Sequence, residues 1–271
     1  DAWGKNSSFQ LAAIHALARD LQETGEWLGH DADPLVQELQ AHLPEITLLN
    51  NAGGQEIALW EGQALDPGHR HHSHLAGIGV FGTVDPEEER YREIVQNSDS
   101  RWTMSGTGSW VGWSFPWAAQ IKTRMGNPAA AQLMLHLWQD GFTSRTGISF
   151  IGAMYQGVTM GGRWWFGKNE DGSPRRLMQM DGEMACINAV SDLFAYCDRD
   201  VMYFFRGIRS DRQDASFRNV PLPFGVTASG AMRGGRAKVH LTASRDVQLK
   251  ISLPGSPVRE ISLKAGEKYT F

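Results

Sequence analysis

The sequence predicts a mainly α chain, in which helical hairpins form part of an α/α toroid and a small antiparallel β module follows. Three observations predict this. Before about residue 200, apolar residues recur at three- and four-residue spacing in most segments. Two long polar, aromatic-bearing stretches interrupt those segments, and stretches of that length are either functional or disordered. After about residue 200 the pattern turns to two-residue alternation with β-branched residues and turn residues between runs. The expected organisation is a helical portion with site loops over 1–200 and a β-rich module over 201–271.

The elements follow in order. Residues 6–28 read as an amphipathic helix, with Phe9, Ala13, Ala16, Leu17 and Leu21 on one face and Asn6 or Ser7 available as cap. Residues 34–43 make a second helix with Pro34 in its first turn. An irregular stretch rich in Gly and Asn, 48–74, comes next. Residues 86–97 have a Pro start and an acidic first turn, which favours a helix. Residues 110–125 and 127–140 form a helical hairpin around Gly126-Asn127-Pro128, and Pro116 requires a kink or a late start in its first arm. A second long loop spans 141–178, centred on GVTMGGRWWFGKNEDGSPRR (157–176), and the helix EMACINAVSDLFAYC (183–197) closes the helical portion. Residues 237–271 then alternate as short antiparallel strands.

Composition narrows the function. The 271 residues are 41% hydrophobic and 21% charged, as in a globular chain with a substantial core. The net charge is −4 and there is no Lys/Arg-rich run to follow a phosphate backbone, so nucleic acid is not an expected partner. No apolar run reaches membrane-spanning length. The chain begins DAWGKNSS rather than with Met, so the want of a visible signal peptide carries no weight. Cys186 and Cys197 lack metal-like spacing and read as small buried hydrophobes. Ten tryptophans are many for this length; indoles fill cores, and they also pack against the C–H faces of sugars.

Four of the nine histidines crowd into HRHHSHLAG (69–77): His69, His71, His72 and His74. As metal ligands, His-x-His on an extended strand places both rings on one face, and Asp66 or Glu61 could complete a zinc set. As structural groups, they and Arg70 bridge loop carbonyls and carboxylates. As a substrate grip, the Arg70 fork suits a diol or a carboxylate, and His71 adopts whichever tautomer its neighbours demand. Glycosidic cleavage needs two carboxyl groups, and Glu56, Glu61, Asp66, Asp181 and Glu183 stand in informative places. Asp181 has the position of a helix N-cap, which is compatible with pointing into a site beside the long loop.

Together, several segments resemble the catalytic region of glycoside hydrolase family 95, the α-L-fucosidase and α-L-galactosidase family, over roughly residues 5–271. GGQEIALWEGQALDPGHRHHSHLAGI (53–78) looks like its Gly-Gln, Glu-Trp and His-Arg-His-x-Ser-His-Leu-x-Gly signature, the most specific of the matches. GTGSWVGWSFPWAAQIKTRMGNPAAAQLML (106–135) is similar to its Gly-Trp-Ser helix, and RLMQMDGEMACINAV (176–190) to its Gln-Ile-Asp-Gly segment. The resemblance implies an (α/α)6 barrel with flanking β domains and inverting, metal-independent hydrolysis of an α-L-fucoside or similar terminal sugar of a glycan. No cofactor is implied, and the location is secreted or periplasmic. By match to the Asp-Gly motif, Asp181 is the general base. By match to the Arg-His pair, Arg70 and His71 contact the sugar, with Trp60 and Trp113 in the same wall. An inverting pair holds its carboxyls roughly 6.5–9.5 Å apart, with room for water.

This sequence also departs from the family. The family's general acid is a Glu upstream of the segments found here, which implies a C-terminal part acting with an N-terminal part of the same polypeptide. Asn50 and Asn51 are not in the places of the family's water-activating asparagines. The family's Asp-Gly-Asn-Phe-Gly is Asp181-Gly182-Glu183-Met184-Ala185 here, the stretch GGRWWFGKNEDG has no family counterpart, and six or seven helices are too few for twelve. The sugar is left open. Two alternatives stand beside this reading: a non-catalytic carbohydrate-binding fragment, and a metallohydrolase built on the histidines.

Overall fold

The computed structural model describes residues 4–31, 33–65, 68–154, 159, 169–172, 176–211 and 213–271. Asp66 and most of the 157–176 stretch lie outside them. The chain divides into two compact units, Asp1–Ser114 with Gly152–Arg176, and Phe115–Ile151 with Leu177–Phe271.

In the first unit, α1 (Ser8–Leu28) buries Leu11, Ala12, Ala16 and Ala18. Gly29 ends it in the left-handed conformation, φ 72°, and donates its N–H to the Glu26 carbonyl. α2 (Pro34–His42) starts with proline at its first position, and the Asp33 carboxylate accepts the Leu35 N–H at 2.8 Å. β1 (Leu48–Asn51) and β2 (Gly54–Ile57) form an antiparallel hairpin in which Asn51 pairs with Gly54. The Asn51 side chain accepts the Gly53 N–H at 2.7 Å, fixing the turn. After the short α3 (Ala76–Gly79), α4 (Glu89–Met104) packs on β2, where Ser98 Oγ accepts the Ile57 N–H at 2.8 Å.

In the second unit, α5 (Ser114–Arg124) has Pro116 in its first turn, so the proline marks a late start rather than a kink. α6 (Pro128–Phe142) is capped by Asn127, whose side chain accepts from Ala130 N–H at 3.1 Å. α7 is Met180–Phe194. β3 (Ala195–Asp198), β4 (Val201–Phe204), β5 (Ala215–Leu222), β6 (Val226–Arg233), β7 (Arg236–Ala243), β8 (Val247–Ser252), β9 (Arg259–Leu263) and β10 (Lys268–Thr270) make two four-stranded sheets, ordered β10-β7-β6-β5 and β3-β4-β8-β9. β6 and β7 join through Gly234-Gly235, both at positive φ (53° and 76°), which is what a two-residue turn matched to strand twist demands. Alternate residues of these strands, with Phe204, Phe205 and Phe217, form a continuous apolar core.

A buried polar knot ties α5, α7 and β3. Arg124 reaches Asp192 at 3.3 Å and Asp198 at 3.4 Å, and its guanidinium lies 4.5 Å from the Tyr196 ring centroid. Burial pushes the Asp192 pKa up despite Arg124, while the two carboxylates raise that of Arg124.

The mainly α toroid with a small β module is overturned. Of the described residues, 39% are helix and 24% strand. Among the described residues there are seven α-helices and ten strands in three sheets, a mixed α/β fold. Nor is the strand region purely antiparallel, because β4 and β8 pair in parallel. Two segments account for part of the difference. The supposed irregular stretch 48–74 contains the β1–β2 hairpin. Helix α7 stops at Phe194, and residues 195–197, expected as its last turn, fold together with Asp198 as a strand on Val201–Phe204. Tyr and Cys suit a half-buried strand, and Arg199 takes a left-handed φ of 54° that closes the hairpin. Cys186 and Cys197 are in no disulfide and are half-buried rather than fully in the core.

Candidate functional site

The histidine cluster lies in the first unit, on the loop 68–75 that enters α3. Gly68 admits the loop past the end of α4: a Cβ there would stand 2.9 Å from the Ser105 carbonyl oxygen. The four histidines then separate by environment. His72 is fully buried. Its Nδ1 accepts the Trp102 indole N–H at 3.1 Å, and its Nε2 lies 2.9 Å from the Ser114 carbonyl oxygen. An indole N–H only donates and a carbonyl only accepts, so the ring is the neutral Nε2–H tautomer with both nitrogens engaged. Trp102 and Trp110 stack on each other at 5.3 Å and flank the imidazole with centroids 4.7 and 4.5 Å away. Burial drives the His72 pKa down to about 3. His74 is 4% exposed, and burial likewise lowers it to about 3.

His69 and His71 sit differently. His69 is exposed, and its Nδ1 accepts the backbone N–H of His71 at 3.1 Å, closing a tight local turn. Partial burial and then the Arg70 charge lower its pKa. Arg70 and His71 are half-buried. The His71 ring stands edge-on to Trp113, centroids 5.3 Å apart at 79°, and edge-on to His69 at 4.9 Å. Ser114 fastens this arrangement, donating its Oγ–H to the Arg70 carbonyl at 2.7 Å and accepting the Val111 N–H at 3.1 Å. The loop is therefore pinned at the Arg70 carbonyl and at the His72 ring, with the Arg70 and His71 side chains between the pins.

Of the residues singled out from the sequence, the structure brings together His71 and Trp113 and places Arg70 next to them on the same loop. Trp60 has a different local setting: it is half-buried beside its bridge to Gln63, and a Cβ on Gly4 would stand 2.1 Å from its indole Cγ. One indole face is thus covered by the Gly4 backbone. Asp181 belongs to the other unit, exposed in the first turn of α7. It is not the N-cap; Gln179 holds that position, without a side-chain cap bond. The Asp181 carboxylate stands where a helix N-terminus favours negative charge. Glu183 points elsewhere and accepts the Ser149 N–H at 2.8 Å. Glu61 is held at the surface by Asn6 (2.6 Å) and Lys5 (3.4 Å).

Among the described residues no three His, Cys, Asp or Glu side chains converge as a metal set. His72 could ligate a metal only by surrendering one of its two buried hydrogen bonds, and Asp66 lies outside the described residues. Two residues that shape the site, Trp102 and Trp110, are not distinguishable in the sequence from the other eight tryptophans. Ser114 is visible there only as the end of Gly-Trp-Ser. No helix among the described residues is long and apolar enough to cross a membrane.

No family model matches the chain and no curated protein matches it, so the likeness to glycoside hydrolase family 95 stands on the quoted segments alone.

Proposed function

We propose that the chain is part of an inverting glycoside hydrolase of the family 95 type, supplying the substrate grip and the general base for hydrolysis of an α-L-fucoside or a similar terminal sugar. The observation that carries this is the pinned loop: Arg70 and His71 stand half-buried beside Trp113, between anchors at Ser114 and His72. A sugar needs hydroxyl-binding groups next to an apolar ring. The Arg70 fork takes a pair of hydroxyls and His71 takes one more. Asp181 is the general base by its match to the Asp-Gly motif. The general acid comes from an upstream segment of the same polypeptide, and the protein acts outside the cytoplasm, both by resemblance.

The test uses the full-length polypeptide with a panel of nitrophenyl glycosides and NMR of the first-formed anomer. Asp181→Asn should lower kcat by at least about a hundredfold, as removal of a general base does, and leave KM within about threefold. Arg70→Lys should raise KM. Normal turnover by Asp181→Asn would refute the base assignment. Sugar binding without turnover in the unmodified protein would assign the loop to binding alone.

A further inference from the structure

The first unit contains a cavity of about 460 Å³ between the β1–β2 hairpin and α4, and no residue of the 68–75 loop lines it. Small-molecule sites span roughly 300–1,000 Å³. Glu56, on β2, lines the cavity and is 3% exposed. Its Oε2 is buried and receives no hydrogen bond from the protein, and its Oε1 stands 3.7 Å from Arg101 Nε. A buried carboxyl short of donors is costly, and the cavity that Glu56 lines is where a ligand can supply one to the group. The remaining walls are polar in an alternating sense. Asn97 spends its amide N–H on the Gln55 carbonyl at 3.2 Å, which leaves its oxygen as an acceptor. Asn51 spends its oxygen on the hairpin turn, which leaves its NH2 as a donor. Ser100 offers both, and Met104, 88% exposed, adds an apolar flank.

We infer that this cavity binds a neutral polyhydroxylated ligand of monosaccharide size. Hydroxyl groups both donate and accept, so one ring satisfies the Glu56 and Asn97 acceptors and the Asn51 and Arg101 donors together. The formal charges of Glu56 and Arg101 oppose each other, which gives the cavity no preference for an ion. The C–H face of a ring packs on Met104. The site is separate from the Arg70–His71 loop and does not depend on the hydrolase reading.

Saturation-transfer NMR and calorimetry with methyl monosaccharides and inositol test this on the intact chain. Ser100 is exposed, so Ser100→Trp fills the cavity mouth without disturbing the core; Glu56→Gln keeps the shape and turns an acceptor into a donor. At least one ligand should bind saturably, with affinity reduced about tenfold or more by either variant, as loss of one charge-assisted hydrogen bond gives. Binding that Ser100→Trp reduces should be untouched by Arg70→Ala, because no residue of the 68–75 loop lines this cavity. Circular dichroism confirms that each variant is folded. No binding across the panel, or binding indifferent to Ser100→Trp, overturns the inference, and binding lost only in Arg70→Ala moves the ligand to the histidine loop.

Discussion

His72→Gln tests the anchoring role of the most buried histidine, because its effect must depend on pH. Gln can donate to the Ser114 carbonyl as the imidazole does, but it cannot also accept from Trp102 Nε1 with the same geometry. One buried donor is orphaned, at about 1–3 kcal/mol, and the ring packing between two indoles is lost, so the variant should be about 3 kcal/mol less stable at pH 7.5. The native imidazole has a pKa near 3 against 6.5 for an ordinary histidine. The folded value is the lower, so the unfolded chain takes the proton first. The stability contributed by the neutral ring is complete above about pH 6.5 and is lost progressively as pH falls toward 3. At pH 5 this linkage has already removed about 2 kcal/mol from the wild type, at roughly 1.36 kcal/mol per pH unit. Glutamine does not titrate, and the other eight histidines are common to both proteins. The deficit of the variant should therefore shrink from about 3 to about 1 kcal/mol between pH 7.5 and pH 5. Urea titrations followed by tryptophan fluorescence measure it, since Trp102 and Trp110 border the substitution. A deficit that stays constant across that range would mean that His72 binds its proton as readily folded as unfolded, and the anchoring argument would fail.

Two further substitutions test the second unit. Arg124→Met removes the guanidinium that Asp192 and Asp198 share and should cost about 3–5 kcal/mol in urea melts, whereas Asp192→Asn should cost less because burial already disfavours its charge. Gly230→Ala places a Cβ 2.8 Å from Phe217 Cε1 and 3.1 Å from Phe205, and should cost about 1–3 kcal/mol by overpacking, read as a lower thermal midpoint; an unchanged midpoint would mean those rings move aside freely.

Local chemistry made some elements legible. Pro34 after Asp33, and Pro128 after Asn127, mark helix starts because a side-chain acceptor and a missing N–H both suit the first turn. The closing strands were legible because Arg236–Ala243 and Val247–Ser252 alternate in burial as they do in polarity. The β1–β2 hairpin was not: four-residue strands carry too little alternation, and Asn51-Ala52-Gly53-Gly54 reads equally as loop. Ala195–Asp198 continues the apolar spacing of α7, and only its pairing with β4 makes it a strand. The site was half legible. That 69–74 matters is plain from composition, but the division of its histidines depends on Trp102, Trp110 and Ser114, thirty to forty-two residues away.

That division bears on what the cluster can do. A histidine that moves protons needs access to the reacting group and a pKa near the working pH. His72 and His74 have neither: both are buried and both are pushed to about 3. The His72 imidazole acts as a hydrogen-bonding and packing group, the His74 imidazole is buried beside it in the chain, and the His72 anchors make the loop stiff. Stiffness matters for Arg70 and His71, because a long guanidinium side chain loses about 2 kcal/mol of rotamer freedom when it is fixed on a ligand, and a pinned backbone adds nothing to that cost. The adjacent histidines thus divide into a buried pair, of which His72 anchors the loop, and a more accessible pair, His69 and His71, that with Arg70 forms the edge of the loop. The same reasoning sets Glu56 apart: it is buried like His72, but where both nitrogens of His72 are engaged, Glu56 Oε2 has no donor in the protein. An occupied buried polar group holds a fold together, and an unoccupied one at a cavity wall marks where a ligand's hydroxyl belongs.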